Sequence, residues 1–278
     1  MPTLKEIKGR IASVKSTLKI TSAMKLVSSA KLRKAQGAID AMRPYQQQLQ
    51  RILSTAQGGK APEGWLEAAE GAPRVLVAIG SNASLCGGFN ANVIAKVRAI
   101  RRPGDIVYSL GRKMADAMRK DGFVSPEDFS ALMDHPAYAP AAALAERLLE
   151  DFRQGRIASV QLVYNHFVST ARQEPVAEAF LPLAGVETDG GEALPEDVIV
   201  EPSAKELLEV LIPKTLKLKL YAAVLDSAAA EHAARTVAMQ AATDNGNQLL
   251  DELTLQYNKG RQQKITNEIL DLAGGQTG

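Results

Sequence analysis

The sequence predicts a mixed α/β fold in which long N- and C-terminal helices form an antiparallel coiled coil around a central α/β domain. Three observations support this fold class. An apolar heptad repeat covers the first fifth of the chain, a second helical pattern covers its last quarter, and strands alternate with helices between them. We expect an N-terminal helix over 1–57, a linker over 58–72, the α/β domain over 73–202 and a C-terminal helix over 203–278.

The N-terminal helix begins at a capping box and carries the heptad repeat. Thr3 and Glu6 have the Thr-x-x-Glu spacing in which each side chain caps the other residue's backbone N–H. Two columns of residues then recur every seven positions, and eleven of their fifteen members are apolar: Leu4, Ile11, Leu18, Lys25, Leu32, Ile39, Gln46 and Leu53 with Ile7, Val14, Thr21, Ser28, Ala35, Met42 and Leu49. This pattern is typical of a coiled-coil seam. Pro44 predicts a bend or local loosening.

Positive charge is concentrated in this first helix. Residues 1–53 contain eleven Lys and Arg against two acidic residues, a formal charge of +9, whereas the whole chain of 278 residues carries only +2. The remainder of the chain is therefore mildly acidic. Three interpretations remain open at this point: binding to nucleic acid, binding to an acidic protein surface, or a solvated helix face without a partner.

The C-terminal helix is predicted from a second capping box, Ser203 with Glu206, and can run to Leu272. Pro213 is expected to kink its first turns. Alanine supplies ten of the 21 residues over 222–242, which favours helix and lets another helix approach closely.

Two glycines of this helix, Gly246 and Gly260, lie two heptads apart and therefore on one face. They predict either close contact with the other helix or simple sequence drift. Because each terminal helix alone would expose an apolar seam, we expect the two to pair antiparallel, with the α/β domain at the base of the pair.

The middle segment alternates strands with helices, which predicts a Rossmann-like α/β sheet with parallel neighbours. The expected strands are 75–79, 106–110, 160–164 and 176–180, and the expected helices are 90–102, 112–120 and 141–153. Residues 80–88 join a strand to a helix, where phosphate-binding loops occur, but they match neither Gly-x-Gly-x-x-Gly nor the Walker pattern. We therefore expect a structural turn there, and an acidic loop over 185–201.

No catalytic or metal-binding pattern is found in the sequence. Cys86 is the single cysteine, which excludes an internal disulfide framework, and the three histidines form no metal-ligand motif. The longest uncharged stretch, 75–95, is too polar and glycine-rich for a membrane helix, and the N-terminus has no apolar signal region. The sequence predicts a cytoplasmic protein that is not an enzyme and has no cofactor and no metal.

Two blocks carry a family resemblance. The first is Ile20-Thr-Ser-Ala-Met-Lys-Leu-Val27 with Lys31-Leu-Arg-Lys-Ala-Gln36, and the second runs from Ala234-Arg-Thr-Val-Ala-Met239 through Leu253-Thr-Leu-Gln-Tyr-Asn258 to Ile265-Thr-Asn-Glu-Ile269. Together with Leu85-Cys-Gly-Gly-Phe-Asn90, they closely resemble the γ-subunit family of F-type ATP synthases. The resemblance spans the whole chain.

The resemblance implies the central rotor shaft of a rotary motor, which couples proton flow to conformational changes at the β-subunit catalytic sites and performs no chemistry itself. It implies as partners the α and β subunits of the catalytic hexamer, the ε subunit and the c-subunit ring, with no nucleic acid and with membrane contact only through these partners. The implied location is peripheral, on the cytoplasmic face of the bacterial inner membrane.

The resemblance also implies partner-binding residues. Met24 and Lys25 match the family block that faces an acidic region of β. Arg235 matches a family arginine implicated in coupling. Arg261 and Gln262 match a pair that hydrogen-bonds a β-subunit loop, and Thr266 and Glu268 match positions in the tip region. The sequence departs from the family at Ser81-Asn82-Ala83-Ser84, where Ser-Asp-Arg-Gly is usual, so the contact of that arginine with β is not expected here.

Two functions from other classes remain as alternatives. The first is a nucleic-acid-binding coiled coil that uses the basic N-terminal helix. The second is a small α/β nucleotide enzyme, which would turn over without partners.

Overall fold

The structure is a computed structural model that describes residues 3–57, 65, 69–183, 201 and 203–274. It contains six helices and four strands among these residues. In chain order they are α1 (Leu4–Gln57), β1 (Arg74–Ile79), α2 (Phe89–Ile100), β2 (Ile106–Leu110), α3 (Arg112–Lys120), α4 (Ser130–Asp134), α5 (Tyr138–Arg153), β3 (Ser159–Phe167), β4 (Gln173–Leu181) and α6 (Ala204–Gly274). The predicted fold class, two long terminal helices with an α/β domain between them, is confirmed.

The four strands form one sheet in the order β2-β1-β3-β4. β1 pairs in parallel with β2 and with β3, so the predicted parallel neighbours are confirmed for these strands. β4 runs antiparallel to β3, with Val163 opposite Ala177. The connection between β3 and β4 is too short for the helical crossover that a parallel pair requires, and an antiparallel hairpin results.

Both faces of the sheet are covered. On one face, Leu76 and Ala78 of β1 pack with Val93 of α2 and with Met114 and Met118 of α3. On the other face, alternate β1 residues pack with α5, α1 and α6 in the largest apolar cluster, which includes Val75, Val77, Leu144, Leu49 and Leu220. Burial on both faces explains why β1 is a continuous apolar run from Val75 to Ile79.

Four elements, α4, α5, β3 and β4, differ most from the sequence-based expectation. The short helix α4 is an additional element that was not predicted. α5 begins three residues earlier than expected, because Pro140 is tolerated in the first turn of a helix, where its missing N–H needs no partner. β3 and β4 are longer than predicted, since each extends along the other in the hairpin.

The smaller of two compact units comprises Met1–Ser28 and Thr236–Gly278. Here α1 and α6 pair antiparallel. Leu4, near the start of α1, lies next to Gly260, whereas Leu18, further along α1, lies next to the earlier residue Gly246 of α6. The capping box is present, with the backbone N–H of Thr3 donating to Glu6 Oε2 at 2.7 Å.

The larger unit, Ser29–Arg235, contains the sheet together with the remaining parts of α1 and α6. Within it, Leu32 and Ala35 of α1 pack with Ala229 and Ala233 of α6. All fifteen seam positions of α1 are buried or half-buried in the fold, so the predicted seam is confirmed. α1 continues through Pro44, and α6 continues through Pro213.

Two predicted connections lie almost wholly outside the described residues: most of the linker over 58–72 and the acidic loop over 185–201. Trp65 is described and is buried in the apolar cluster that contains α5.

Candidate partner-binding surfaces

The α1–α6 seam becomes polar near the predicted site residues Met24 and Lys25. The hydroxyl of Thr21 lies 2.9 Å from that of Thr243 on α6, and Thr243 in turn donates to the carbonyl of Met239 at 2.8 Å. Lys25 occupies the next seam position and is half-buried. Buried hydroxyls that hydrogen-bond across the seam fix the register of the two helices at modest net energy.

Met24, itself half-buried, lies in an apolar stripe that points away from the seam and whose other members are exposed. Ile20, Met24 and Val27 have the spacing i, i+4, i+7, which places them on one helix face. Ile20 is 58% exposed and Val27 is 57% exposed. Apolar residues in a row on a solvent-facing helix surface are typical of a docking site for another protein. Ile20 and Val27 were not predicted as site residues, although apolar residues outside the heptad seam could have indicated an exposed apolar surface there.

The end of α6 forms a second candidate surface. Gly260 lies opposite Leu4, so the helix continues from Arg261 to Gly274 beyond the start of α1. Every residue from Arg261 to Leu270 is exposed, including the predicted site residues Arg261, Gln262, Thr266 and Glu268. Ile265 and Ile269 add an exposed apolar pair at i, i+4 spacing.

Two of the predicted site residues of this tip, Thr266 and Glu268, have polar partners within the helix. Thr266 donates its hydroxyl to the carbonyl of Gln262 at 2.9 Å, and Lys264 lies 3.6 Å from Glu268. Exposed pairs of this kind contribute at most about 1 kcal/mol. The carboxylate of Glu268 can therefore exchange its helical partner for another protein at little cost.

Arg235 is placed differently from the other predicted site residues. Its side chain is buried in the larger unit, where Nη1 lies 2.7 Å from Glu231 Oε1 and Nη2 donates long hydrogen bonds of 3.4 Å to the carbonyls of Ala83 and Ser84. Burial raises the pKa of Glu231, and the neighbouring guanidinium opposes that rise. The contacts observed for Arg235 are therefore intramolecular, and a contact with a partner stays a prediction.

The 80–88 turn is held by its own side chains. The backbone N–H of Ser81 donates to Asn90 Oδ1 at 3.1 Å, and Asn90 Nδ2 donates to the hydroxyl of Ser81 at 2.7 Å. Cys86 is buried beside them, and this burial raises the pKa of its thiol. These internal bonds support the interpretation of the segment as a structural turn.

A polar cleft of about 920 Å³ lies between α1, α6 and the β3–β4 hairpin. Tyr164 donates its hydroxyl to Glu178 Oε1 at 2.9 Å, and Lys219 Nζ donates to the carbonyl of Ala179 at 2.8 Å. Burial raises the pKa of the Tyr164 hydroxyl and lowers that of the Lys219 ammonium. Because Tyr164, Glu178 and Lys219 already have hydrogen-bond partners within the chain, we assign the cleft no ligand.

The positive charge of α1 is displayed to solvent. Nine of its eleven basic residues are exposed, and the two half-buried ones are Lys25 and Arg51. One exposed acidic neighbour, Asp40, lies 3.6 Å from Arg43. A helix of this kind attracts acidic surfaces over roughly one Debye length, about 8 Å in physiological salt.

The fold thus places two exposed surfaces in the smaller unit, the stripe around Met24 and the tip beyond Gly260. About twenty residues of helix separate their levels along α6, which is roughly 30 Å. Arg235 belongs to neither surface.

Among the residues that the structure describes, no group of three or more His, Cys, Asp or Glu could hold a metal ion. None of the described helices combines the length and apolar character needed to cross a bilayer.

These features define a class: a protein with paired terminal helices, an inserted α/β domain and exposed apolar and charged surfaces on the helix pair. Comparison with known proteins identifies it more closely. The family model described as ATP synthase matches residues 3–277, and the chain belongs to that family. The curated relatives named ATP synthase gamma chain include that of Bacteroides fragilis, 48% identical over 99% of both chains. That of Flavobacterium johnsoniae is 44% identical over 99% of this chain and 98% of the relative.

Solved structures show the same fold. A chain of the Euglena gracilis mitochondrial ATP synthase, described as OSCP/F1/c-ring, has a TM-score of 0.68 at 22% identity and covers 99% of this chain and 93% of its own. A chain of the Tetrahymena thermophila enzyme, described as central stalk/c-ring, has a TM-score of 0.58 at 23% identity and covers 80% and 99%. Family membership makes the chain a non-catalytic subunit, and the nucleic-acid alternative receives no support from these relatives.

Proposed function

We propose that the chain is the central rotor shaft of an F-type ATP synthase, which couples ion flow through the membrane sector to conformational change at the β-subunit catalytic sites. The observation that carries this proposal is the antiparallel pairing of the terminal helices, from Leu4 against Gly260 to Thr21 against Thr243. Its support is the family membership of the chain. The predicted division at residues 57, 72 and 202 belongs to the same proposal.

The shaft works through asymmetry. An apolar stripe on one side of α1 and exposed basic residues around it give the paired helices faces of different chemistry. Turning such an element inside a ring of subunits presents a different face to each of them. A subunit changes conformation only as far as the shaft binds its two states with different free energy. Rotation then changes the nucleotide affinity of the β subunits in turn.

The partners follow from this function. The α and β subunits of the catalytic hexamer surround the helix pair, while the ε subunit and the c-subunit ring contact the α/β domain. Neither nucleic acid nor a direct membrane contact is part of the proposal. The chain is peripheral, on the cytoplasmic face of the bacterial inner membrane, and reaches the membrane only through these subunits.

Each predicted site residue has a proposed role. Met24 and Lys25 contact an acidic region of β, with Ile20 and Val27 supplying apolar area beside them. Arg261 and Gln262 hydrogen-bond a β-subunit loop, and Thr266 and Glu268 contact the catalytic hexamer at the tip of α6; together these four residues form a contact that we call the bearing. Arg235 acts in coupling, a role developed below from its buried contacts.

The first test is assembly. Mixed with the α and β subunits of its own synthase, the chain should elute with them as one complex and should ignore duplex DNA at physiological salt. The nucleic-acid alternative predicts the reverse: no complex with α and β, and DNA binding that weakens steeply as salt rises. Phosphate release from ATP by the purified chain alone would instead indicate an enzyme.

A charge reversal tests the electrostatic contact. In the complete synthase, Lys25→Glu should lower ion pumping per ATP hydrolysed by about fivefold, because an ion pair worth about 1 kcal/mol is lost. Assembly should change less than coupling. The coupling of Lys25→Gln, which removes the charge without reversing it, should lie between that of Lys25→Glu and that of the unmodified synthase.

The matched control is Lys120→Glu, the same charge change on the exposed surface of α3. It should leave both assembly and coupling unchanged. Coupling that stays intact in Lys25→Glu would show that the charge at this position has no role in the contact with β.

A further inference from the structure

The strand order defines a crevice where ligands of open α/β sheets usually bind. β1 has β2 on one side and β3 on the other, so the connections leaving β1 and β2 run in opposite directions across the sheet. Ligands of such sheets bind outside the carboxyl ends of the strands at this switch point. Here the crevice lies between the 80–88 turn after β1 and Phe167 at the end of β3.

One stretch of α6 makes polar contacts on both sides of this crevice. Asp226 accepts the backbone N–H of Phe167 at 3.0 Å through Oδ1, and its Oδ2 lies 2.6 Å from Nδ1 of His166. Arg235 donates to the carbonyls of Ala83 and Ser84. The side chains of Asp226 and Arg235 are 19% and 9% exposed.

Alanines of α6 fill the space between these two contacts. Ala230 and Ala234 pack with Cys86 and Phe89 in one buried cluster, and the ring of Phe167 packs against it. Small side chains permit this close approach, but they interlock only shallowly with their neighbours. Alanine packing alone therefore gives little resistance to sliding or turning of the helix, and directional polar contacts must supply it.

We propose that residues 226–235 of α6 fill the switch-point crevice as an internal ligand, and that Asp226 and Arg235 are positioning residues through which turning of the α/β domain is passed to α6. Glu231 orients the guanidinium of Arg235 toward the turn. Two earlier contacts act in the same direction, since Lys217 pairs with Glu146 of α5 at 2.9 Å and Lys219 donates to the carbonyl of Ala179. The role in transmission rests on the proposed rotor function.

Hydrogen exchange in the full chain tests the crevice contact without any partner. In Asp226→Ala, the amide of Phe167 should exchange about tenfold faster, because its acceptor is lost. Asp226→Asn retains an oxygen at the same place and should restore protection. Glu209→Ala, an exposed acidic residue of α6, is the matched control and should change nothing. Equal exchange in all four proteins would overturn the crevice contact.

Transmission is tested in the assembled complex, with the α and β subunits fixed to a surface and a bead attached to the α/β domain. With the shaft stalled, Asp226→Ala should increase the angular variance of the bead by about twofold, while Asp226→Asn and Glu209→Ala stay near the unmodified value. ATP hydrolysis normalised to assembled complex should remain unchanged. Loss of stability alone would lower the amount of complex and leave the variance of the surviving molecules unaltered.

Arg235→Lys provides a second comparison if Asp226→Ala does not assemble. Lysine can still pair with Glu231 but cannot donate to two carbonyls in the same way, so the variance should again increase. Equal variance in a complex that rotates would overturn the transmission role alone. An unmodified complex that hydrolyses ATP without rotation would overturn the proposed function itself, with the hydrogen-exchange result unaffected.

Discussion

His232 lies in the alanine-rich part of α6 next to Glu231, and its environment disfavours the charged imidazole. Burial lowers the pKa of His232 to about 4, and the nearby cations Arg235 and Lys31 act in the same direction. The unfolded chain binds this proton near pH 6.5, so acidification favours unfolding as pH falls from about 6.5 toward 4. Glu231, whose pKa burial raises, offsets part of this effect.

We predict that His232→Gln reduces the acid sensitivity of the fold. Between pH 7 and pH 5, the loss in unfolding free energy should be smaller by about 1.5 to 2 kcal/mol than in the unmodified chain. Urea unfolding of the full chain at the two pH values measures it. His135→Gln, at an exposed position, is the control. An equal loss in His232→Gln and in the unmodified chain would contradict the assignment.

Glycines in the helix pair differ in what surrounds them. A Cβ at Gly246 would lie 2.7 Å from Cδ2 of Leu18, whereas one at Gly9 would meet nothing within 4 Å. The close-contact interpretation is therefore confirmed at Gly246, and its neighbour is a leucine side chain of α1.

We predict opposite outcomes for alanine at these two positions. Gly9→Ala should stabilise the helix pair by about 1 kcal/mol through helix propensity. Gly246→Ala should gain less or become destabilising, because Leu18 must leave its position. Thermal unfolding followed by circular dichroism compares them, and equal stabilisation would show that Leu18 adjusts freely.

Individual site residues were only partly predictable from sequence. The exposure of Arg261 and Gln262 could be inferred from helical periodicity and from the family blocks. The burial of Arg235 could not, because its partners Ala83 and Ser84 lie about 150 positions away in the chain and are backbone carbonyls. A carbonyl acceptor leaves no side-chain signal in the sequence.

At the scale of elements, periodicity was a sufficient guide where one face of a helix is buried. The seam of α1 and the bounds of α3 were predicted correctly from apolar periodicity, and the bounds of β2 from a short buried run. α4 was missed because five residues are too few for a period to emerge. The lengths of β3 and β4 depend on their mutual pairing, a tertiary property.

The tip of α6 is expected to be dispensable for folding. Deletion of residues 265–278 removes no residue of the described apolar clusters, so thermal unfolding of the α/β domain should not change. Ion pumping per ATP in the complete synthase should fall, because the bearing is shortened. Deletion from Leu253 onward, which removes a buried seam residue, should in contrast weaken the helix pair. Failure of the shorter deletion to fold would contradict the separation of tip and domain.

In the whole molecule, the order of the elements could be predicted from the sequence, whereas the packing of α6 into the crevice could not. The order of helix, α/β domain and helix follows from local patterns in the chain. The filling of the switch-point crevice by α6 follows from long-range packing, and it gives the alanine-rich segment a second role beyond approach to α1. The same packing gives the carbonyls of Ala83 and Ser84, in the 80–88 turn, their hydrogen-bond donor, Arg235.

The proposed rotor function is measured as rotation of the assembled complex. With the α and β subunits fixed and a bead attached to the α/β domain, addition of ATP should turn the bead in one direction, with pauses that follow the threefold arrangement of the catalytic subunits. ATP hydrolysis by the same molecules without net rotation of the bead would contradict the account.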